Sequence, residues 1–198
     1  MALKAYLYLS REMIDSPPVL AGYFDKEEQA AKAIEEHIAF MRDYQDLGMA
    51  APDWHNVNVC IKKAVAELPV RDIHVEIDAK NPDVFADPLF EKVFYNLIEN
   101  ALLYGGAGMK TIRFFSQESD QGLTLVCEDD GKGITYEDKK KLFRKGVGTH
   151  AGLSLFLSRE ILGITGITIT ENGTPGKGAR FEITVPKGGY RIRGSGGE

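Results

Sequence analysis

The sequence has little of several features that mark specialised protein classes. It contains 2 cysteines, Cys60 and Cys127, and they form no CxxC pair. This excludes a disulfide scaffold and gives a zinc site no support, so a reduced cytoplasmic setting fits better than a secreted one. The first residues lack the uninterrupted apolar stretch of a signal peptide. No run approaches the roughly 18 apolar residues of a membrane span, so we expect no membrane contact by this chain.

The chain also lacks an excess of positive charge. Its 24 Lys and Arg residues stand against 29 Asp and Glu residues, a formal net charge of -5. Because this balance does not attract polyanions, we expect no nucleic-acid partner. The 198 residues do include 43% hydrophobic and 10% aromatic side chains, which is enough for a globular core. We therefore expect a folded protein of one or two domains.

The first 50 residues predict two helices. An apolar stripe at helical spacing in residues 1–14 consists of Leu3, Tyr6, Leu9 and Met13. A second helix, with Asp25 as its N-cap and an end at Gly48, has the stripe Ala30, Ile34, Ile38 and Met41. Two narrow stripes cannot form a core by themselves. The resulting helical hairpin is expected to pack on a second copy or on the rest of the chain.

From residue 51 the pattern changes to alternating strands and helices. The predicted helices cover about 57–67, 88–105, 136–143 and 152–163, and the strands about 73–77, 110–116, 123–129, 166–171 and 179–185. This order favours the α+β class, as a two-layer α/β sandwich with one sheet covered by helices on one face. The expected divisions are residues 1–50, residues 51–187, and a Gly-rich disordered tail at 188–198.

Asn96 and Asn100 lie four residues apart in the longest predicted helix of the second part, so they share one face of it. Carboxamide oxygens can ligate a hard cation, and carboxamide NH2 groups can bond phosphate. The alternative, which an isolated Asn pair favours, is two ordinary solvated side chains.

The segment LTLVCEDDGKGI places a carboxylate at the end of an apolar strand face. Strand alternation puts Asp129 on the same face as Leu125 and Cys127, where a carboxylate is costly unless a donor reaches it. The exocyclic amine of a purine would be such a donor, and Gly131 and Gly133 would let the backbone lie close to a flat ring. A tight turn with Asp-Gly chemistry is the alternative.

A glycine-rich loop containing Gly146, Gly148 and Gly152 opens directly into a helix. Free N–H groups near Gly152 and Leu153, at the start of that helix, are suited to phosphate oxygens. The GxGxxxG spacing after a charged helix does not match the Rossmann fingerprint, and no GxxxxGK[ST] segment occurs.

Five segments, in order, resemble the boxes of the ATP-binding domain of sensor histidine kinases. They are NLIENALLYG, DDGKGI, KLFRKGVG, GLSLFLSREI and GKGARFEITV, which are similar to the asparagine, first glycine, phenylalanine, second glycine and last glycine boxes. The resemblance covers about residues 54–187, and residues 1–50 are similar to the end of the family's dimerisation hairpin. It implies the Bergerat ATP-binding fold, a mixed sheet covered by helices on one face, with ATP and Mg2+ as cofactors.

The resemblance also implies roles for individual residues. Asn100 becomes the Mg2+ ligand, Asn96 its phosphate-side companion, and Asp129 the acceptor for the adenine amino group. The implied ATP-binding set is Asn96, Asn100, Tyr104, Asp129, Gly131, Gly133, Ile134, Gly146, Gly148, Thr149, Gly152 and Leu153. Three positions depart from the family pattern, and each is expected to remove a nucleotide contact or some backbone freedom: Leu103, Ser154 and Ala179.

The implied function is that of the catalytic core of a two-component protein-histidine kinase, which moves the γ-phosphoryl group of Mg-ATP to a histidine. The family's phosphoacceptor lies on the first hairpin helix, but residues 1–15 contain no histidine. We therefore expect a fragment that begins just past that segment and does not autophosphorylate at the usual site, with its catalytic residues unassigned.

The resemblance implies a homodimer and a response regulator partner for the full-length protein, in the cytoplasm, and leaves open whether the parent is anchored in a membrane. Two alternatives remain. One is a degenerate nucleotide-binding or scaffold module that acts through hairpin dimerisation, and the other is an anti-sigma type serine kinase.

Overall fold

The computed structural model describes Leu7 and residues 18–144 and 150–193. The chain divides into two compact units, Met1–Gln45 and Asp46–Glu198. Apart from Leu7, which is helical, the helix predicted over residues 1–14 lies outside the described residues. Within the described ranges, no helix has both the length and the apolar character needed to cross a membrane.

Helix α1, Pro18–Asp46, accounts for most of the described part of the first unit. It begins earlier than predicted, so Asp25 lies inside the helix and the N-cap prediction is wrong. Proline is tolerated in the first turn of a helix, because the N–H group it lacks has no partner there. The helix is followed by Gly48 at a φ of +70°, a conformation typical of helix ends. The predicted stripe at Ile34, Ile38 and Met41 remains 56%, 65% and 49% exposed.

The second unit alternates helices and strands, as predicted. Its helices are α2 (Val57–Glu67), α3 (Phe90–Tyr104), α4 (Tyr136–Lys139) and α5 (His150–Gly163). Its strands are β1 (Asp53–Asn56), β2 (His74–Asp78), β3 (Pro82–Ala86), β4 (Thr111–Ser119), β5 (Gly122–Asp129), β6 (Thr168–Glu171), β7 (Arg180–Pro186) and β8 (Tyr190–Ile192). The strands form a three-stranded sheet of order β1-β3-β8 and a five-stranded sheet of order β2-β4-β5-β7-β6.

The five-stranded sheet is mixed, because β2 pairs with β4 in parallel while the other neighbours are antiparallel. Helices α2 and α3 pack against this sheet, and their shared core includes Ile61, Phe94, Leu97, Phe114, Leu125 and Ile183. The Phe94 and Phe114 ring centroids are 6.1 Å apart. The expected sandwich of a mixed sheet and a helical layer is confirmed.

The three-stranded sheet was not expected. Its last strand, Tyr190–Ile192, pairs antiparallel with Pro82–Val84. The disordered tail predicted for 188–198 is therefore wrong at these residues, and residues 194–198 lie outside the described part. The physical reason is an ion pair: the Arg191 side chain in β8 donates from Nε to Asp83 Oδ2 at 2.9 Å, and Asp83 is fully buried.

Candidate functional site

Helix α3 positions the two asparagines. Its apolar face buries Phe94 and Leu97 against the five-stranded sheet, and the helix continues to Tyr104, one turn past Asn100. Asn96 and Asn100 are only 2% and 6% exposed. The alternative of two solvated amides is therefore wrong, and each buried carboxamide needs partners inside the protein or on a ligand.

The Asn100 carboxamide is only partly satisfied. Its Nδ2 donates to the Asn96 carbonyl oxygen at 2.6 Å and to Ser154 Oγ at 3.1 Å, which uses both protons. Its Oδ1 is buried and has no hydrogen-bond partner among the described residues. An unpaired buried acceptor costs about 1–3 kcal/mol, and a carboxamide oxygen is a ligand that hard cations accept. The side chain therefore fits a divalent cation.

The Asn96 carboxamide faces helix α5. Its Nδ2 donates to the Ser154 carbonyl oxygen and to Ser158 Oγ, both at 3.0 Å. Both amide protons are thus engaged within the protein, and the side chain joins α3 to α5. The phosphate-side role predicted for Asn96 stays a prediction.

Asp129 is the last residue of β5. Its Oδ1 accepts hydrogen bonds from the backbone N–H groups of Gly131 at 2.9 Å and Ala179 at 3.2 Å. These two bonds leave Oδ2 available to an outside donor. Burial raises the pKa of the Asp129 carboxyl, and the two backbone N–H groups only partly offset that effect. A donor on a ligand would therefore stabilise the ionised form.

The neighbouring carboxylate, Asp130, is in a different environment. It is exposed, and its Oδ1 accepts from the backbone N–H groups of Lys110 at 2.7 Å and Thr111 at 3.0 Å. The hydrogen bond from Thr111, with that from Lys110, holds the pKa of Asp130 below its ordinary value. Asp130 thus holds the start of β4, whereas Asp129 faces the candidate site.

The glycines after Asp129 allow three backbone segments to touch. A Cβ on Gly131 would lie 2.5 Å from the Gly105 carbonyl oxygen at the end of α3, and a Cβ on Gly178 would clash with the Asp129 carbonyl oxygen. Gly133 has a φ of +68°, and its Cβ would lie 2.7 Å from the Gly178 oxygen. Protein backbone therefore occupies the space that side chains at Gly131 and Gly133 would take, and the expected closeness of these glycines to a flat ring stays a prediction.

The other predicted ATP-binding residues fall into two groups. Tyr104, at the end of α3, and Ile134, after the Gly131 turn, are half-buried, while Gly152 and Leu153 lie in the first turn of α5. The predictions at Gly146, Gly148 and Thr149 lie outside the described residues.

Two of the three departures from the family pattern make contacts in the site. The Ser154 hydroxyl accepts from Asn100, and the Ala179 backbone N–H donates to Asp129, a contact that needs no particular side chain. Leu103 is 51% exposed. Ser158 was not among the predicted site residues, although the sequence contains a signal for it: two serines four residues apart in one helix match two asparagines four residues apart in another.

Several known proteins are similar to this chain in sequence. A family model described as histidine kinase-, DNA gyrase B-, and HSP90-like ATPase matches residues 86–189, more than half of the 198 residues. Adaptive-response sensory kinase SasA of Parasynechococcus marenigrum (strain WH8102) is 34% identical over 125 residues, which cover 58% of this chain and 32% of SasA. Sensor protein KdpD of Escherichia coli (strain K12) is 26% identical over 186 residues, which cover 90% of this chain and 18% of KdpD. This chain therefore spans about a third or less of the length of these relatives.

Solved structures share the fold. The catalytic domain of histidine kinase ThkA matches with a TM-score of 0.58 and 25% identity, covering 70% of this chain and 98% of that domain. ThkA in its complex with response regulator protein TrrA matches with a TM-score of 0.65 and 21% identity, covering 94% of this chain and 57% of that one. The chain belongs to the histidine kinase-, DNA gyrase B- and HSP90-like ATPase family, and it contains a domain homologous to the catalytic ATPase domain of sensor histidine kinases.

Proposed function

We propose that this chain binds Mg-ATP and transfers the γ-phosphoryl group to a histidine on a partner helix, as the catalytic core of a two-component protein-histidine kinase. One observation carries the proposal: the Asp129 carboxylate is held at Oδ1 by two backbone N–H groups, with Oδ2 left for a ligand. An exocyclic adenine amine is a neutral donor of the right kind for that oxygen, and its hydrogen bond would offset part of the cost of burying the charge.

The unpaired Asn100 Oδ1 supports a cation site on α3. Mg2+ bound with the triphosphate would neutralise negative charge during transfer, since phosphoryl transfer depends mainly on positioning and charge stabilisation. In this proposal the chain supplies Asn100 Oδ1 as its cation ligand and the first turn of α5 as a phosphate contact.

The acceptor histidine is expected on another segment or chain. His37 is exposed on α1, but Ile38 stands where the family has an acidic residue after its phosphoacceptor. The exposed stripe of α1 at Ile34, Ile38 and Met41 supports a homodimer of the full-length protein. A response regulator would then receive the phosphoryl group, in the cytoplasm.

Calorimetry with Mg-ATP tests the nucleotide part of the proposal. We expect micromolar to sub-millimolar binding, weakened about 100-fold by Asp129→Asn, because the substituted amide presents a donor to the adenine amine. Asp130→Asn is the matched control: it changes the adjacent carboxylate, which faces the start of β4, and should leave the affinity near that of the unchanged chain. GTP should bind much more weakly than ATP. Absence of binding at millimolar Mg-ATP would contradict the proposal.

Phosphotransfer needs a separate assay. The chain is incubated with Mg-ATP and with a separate helical hairpin that contains the family's phosphoacceptor helix. We expect acid-labile, base-stable phosphate on that helix, because the two chains complement each other. Phosphate that is stable to acid, as on serine, would contradict a histidine acceptor and favour the anti-sigma type alternative.

A further inference from the structure

We propose that Ser154 and Ser158 of α5 are positioning residues that set the orientation of the Asn100 and Asn96 carboxamides and so keep Asn100 Oδ1 directed at the nucleotide-bound cation. The inference rests on the proposed Mg-ATP function. It differs from the expectation from the sequence, where Ser154 is a departure that removes a nucleotide contact or some backbone freedom.

The four side chains form a matched set across two helices, here called the Asn–Ser ladder. Two asparagines four residues apart on α3 meet two serines four residues apart on α5, in opposite chain order. Asn100 Nδ2 donates to Ser154 Oγ at 3.1 Å, and Asn96 Nδ2 donates to Ser158 Oγ at 3.0 Å. The exposed fractions of Asn96, Asn100, Ser154 and Ser158 are 2%, 6%, 7% and 0%. Water therefore has little access to these contacts.

The hydrogen bonds of the ladder determine which end of each amide points where. Ser158 Oγ donates its single proton to the Ser154 carbonyl oxygen at 2.9 Å, so it can only accept from Asn96. If the Asn96 amide were flipped, its oxygen would lie against the Ser154 carbonyl oxygen, which is also an acceptor. A flipped Asn100 would bring its oxygen against the Asn96 carbonyl oxygen, which now lies 2.6 Å from Nδ2. The ladder thus directs Asn100 Nδ2 toward acceptors within the protein and leaves Asn100 Oδ1 as the unpaired atom.

The ladder also links the cation ligand to the beginning of α5. Ser154 directly follows Gly152 and Leu153, which are expected to face the phosphates. A displacement of this first turn would move the hydroxyl that holds Asn100. A glycine at position 154 would leave the Asn100 Nδ2 proton without that acceptor, so Ser154 provides an anchor that the family's glycine lacks.

The test compares ADP binding with Mg2+ and with EDTA for Ser154→Ala and Ser154→Gly. Both changes remove the hydroxyl, but alanine favours a helix and glycine disfavours it, so an effect common to both reports the hydroxyl. We expect both variants to lose about fivefold in Mg-ADP affinity, the value of one hydrogen bond, with affinity in EDTA unchanged. Ser158→Ala should have a smaller effect, because it releases Asn96 and not Asn100.

A second readout uses the nucleotide-free protein. The side-chain NH2 resonances of Asn100, assigned by their loss in Asn100→Asp, should shift in Ser154→Ala, and those of Asn96 should shift in Ser158→Ala. Equal loss of affinity with and without Mg2+, or unchanged Asn100 resonances in Ser154→Ala, would overturn the inference. Failure of the unchanged chain to bind ADP under either condition would instead overturn the proposed function and remove the basis for this role.

Discussion

The three-stranded sheet and the candidate nucleotide site each contain an aspartate and an asparagine amide, but the chain satisfies these groups differently in the two places. In the small sheet Asp83 is fully buried, and it receives Arg191 Nε at 2.9 Å and Arg193 Nε at 2.8 Å. Asn56 Nδ2 donates to Asp83 Oδ1 at 3.0 Å, and Asn56 Oδ1 accepts from the Val59 backbone N–H at 3.0 Å. The chain itself thus provides partners for both the Asp83 carboxylate and the Asn56 amide.

In the candidate nucleotide site, only some of the polar atoms have partners within the chain. Among the described residues, Asp129 receives two backbone N–H groups but no cation, and Asn100 Oδ1 has no partner. The carboxyl pKa values move in opposite directions. Burial raises that of Asp83, but the hydrogen bonds from Arg193, Asn56 and Arg191 outweigh it, so the net shift is downward, whereas burial dominates at Asp129. A polar cluster whose partners all come from the chain stabilises the fold. A polar cluster that lacks some partners is a place where a ligand can supply the remaining contacts.

The largest expected effect is on the small sheet. Asp83→Ala removes the acceptor of three side-chain donors, so we expect the free energy of unfolding to fall by about 3 kcal/mol, measured by urea denaturation. Nucleotide affinity of the folded fraction should not change. Because the folded pKa of Asp83 is lowered, its contribution is present above the unfolded pKa and is lost as pH falls through the folded value.

Arg191→Ala with Arg193→Ala is the matched control for that variant. It removes the two cations but leaves Asp83 and Asn56 in place. If the double variant and Asp83→Ala both leave stability unchanged, the small sheet is not held by this cluster, and the contrast with the nucleotide site fails.

Much of the candidate site was predictable from the sequence, because its signals are local. The spacing of Asn96 and Asn100 places them on one helical face, and strand alternation places Asp129 on the apolar side of β5. Burial of the asparagines could not be inferred in the same way. It depends on α5, which brings Ser154 and Ser158 against α3 from 54 or more residues away.

The small sheet was not predictable for the same physical reason. Its strands are short, with β8 only 3 residues long, and no alternation of hydrophobic residues marks them. Asp83 and Arg191 are 108 residues apart, and nothing in the local sequence of either indicates the other. Contacts of this range are set by tertiary packing, which overrides local propensity.

The second prediction concerns the pH dependence of nucleotide binding. In the proposed complex the adenine amine needs an ionised Asp129, and the raised pKa means that protonation of this carboxyl begins at higher pH than for an ordinary aspartate with its value of 3.8. Below the folded pKa we expect ADP affinity to fall by up to tenfold per pH unit, measured by calorimetry between pH 7.5 and the onset of unfolding. An affinity that stays constant down to about pH 4 would argue against this role for Asp129.

The third prediction separates binding from stability at Asp129. Asn keeps an acceptor at Oδ1 for Gly131 and Ala179, but it removes the buried charge. A raised folded pKa means that the ionised form is disfavoured by folding, so the native state loses stability as pH rises from the unfolded to the folded value. Asp129→Asn should therefore leave the melting temperature at pH 7 unchanged or raise it, while it weakens nucleotide binding. If Asp129→Asn lowers the free energy of unfolding by more than about 1 kcal/mol, Asp129 stabilises the fold as Asp83 does.

The smallest effect is expected for Arg191→Ala alone. Arg191 lies 4.4 Å from the Trp54 ring centroid and 2.9 Å from Asp83, but its side chain is 54% exposed. Solvent screening and the remaining bond from Arg193 limit the expected loss to about 1 kcal/mol, measured by urea denaturation. Arg191→Lys keeps the charge without the planar group, so a similar loss in both variants would assign the effect to stacking and the Nε bond. A loss as large as that of Asp83→Ala would mean that one cation completes the cluster, and that Arg193 adds nothing to it.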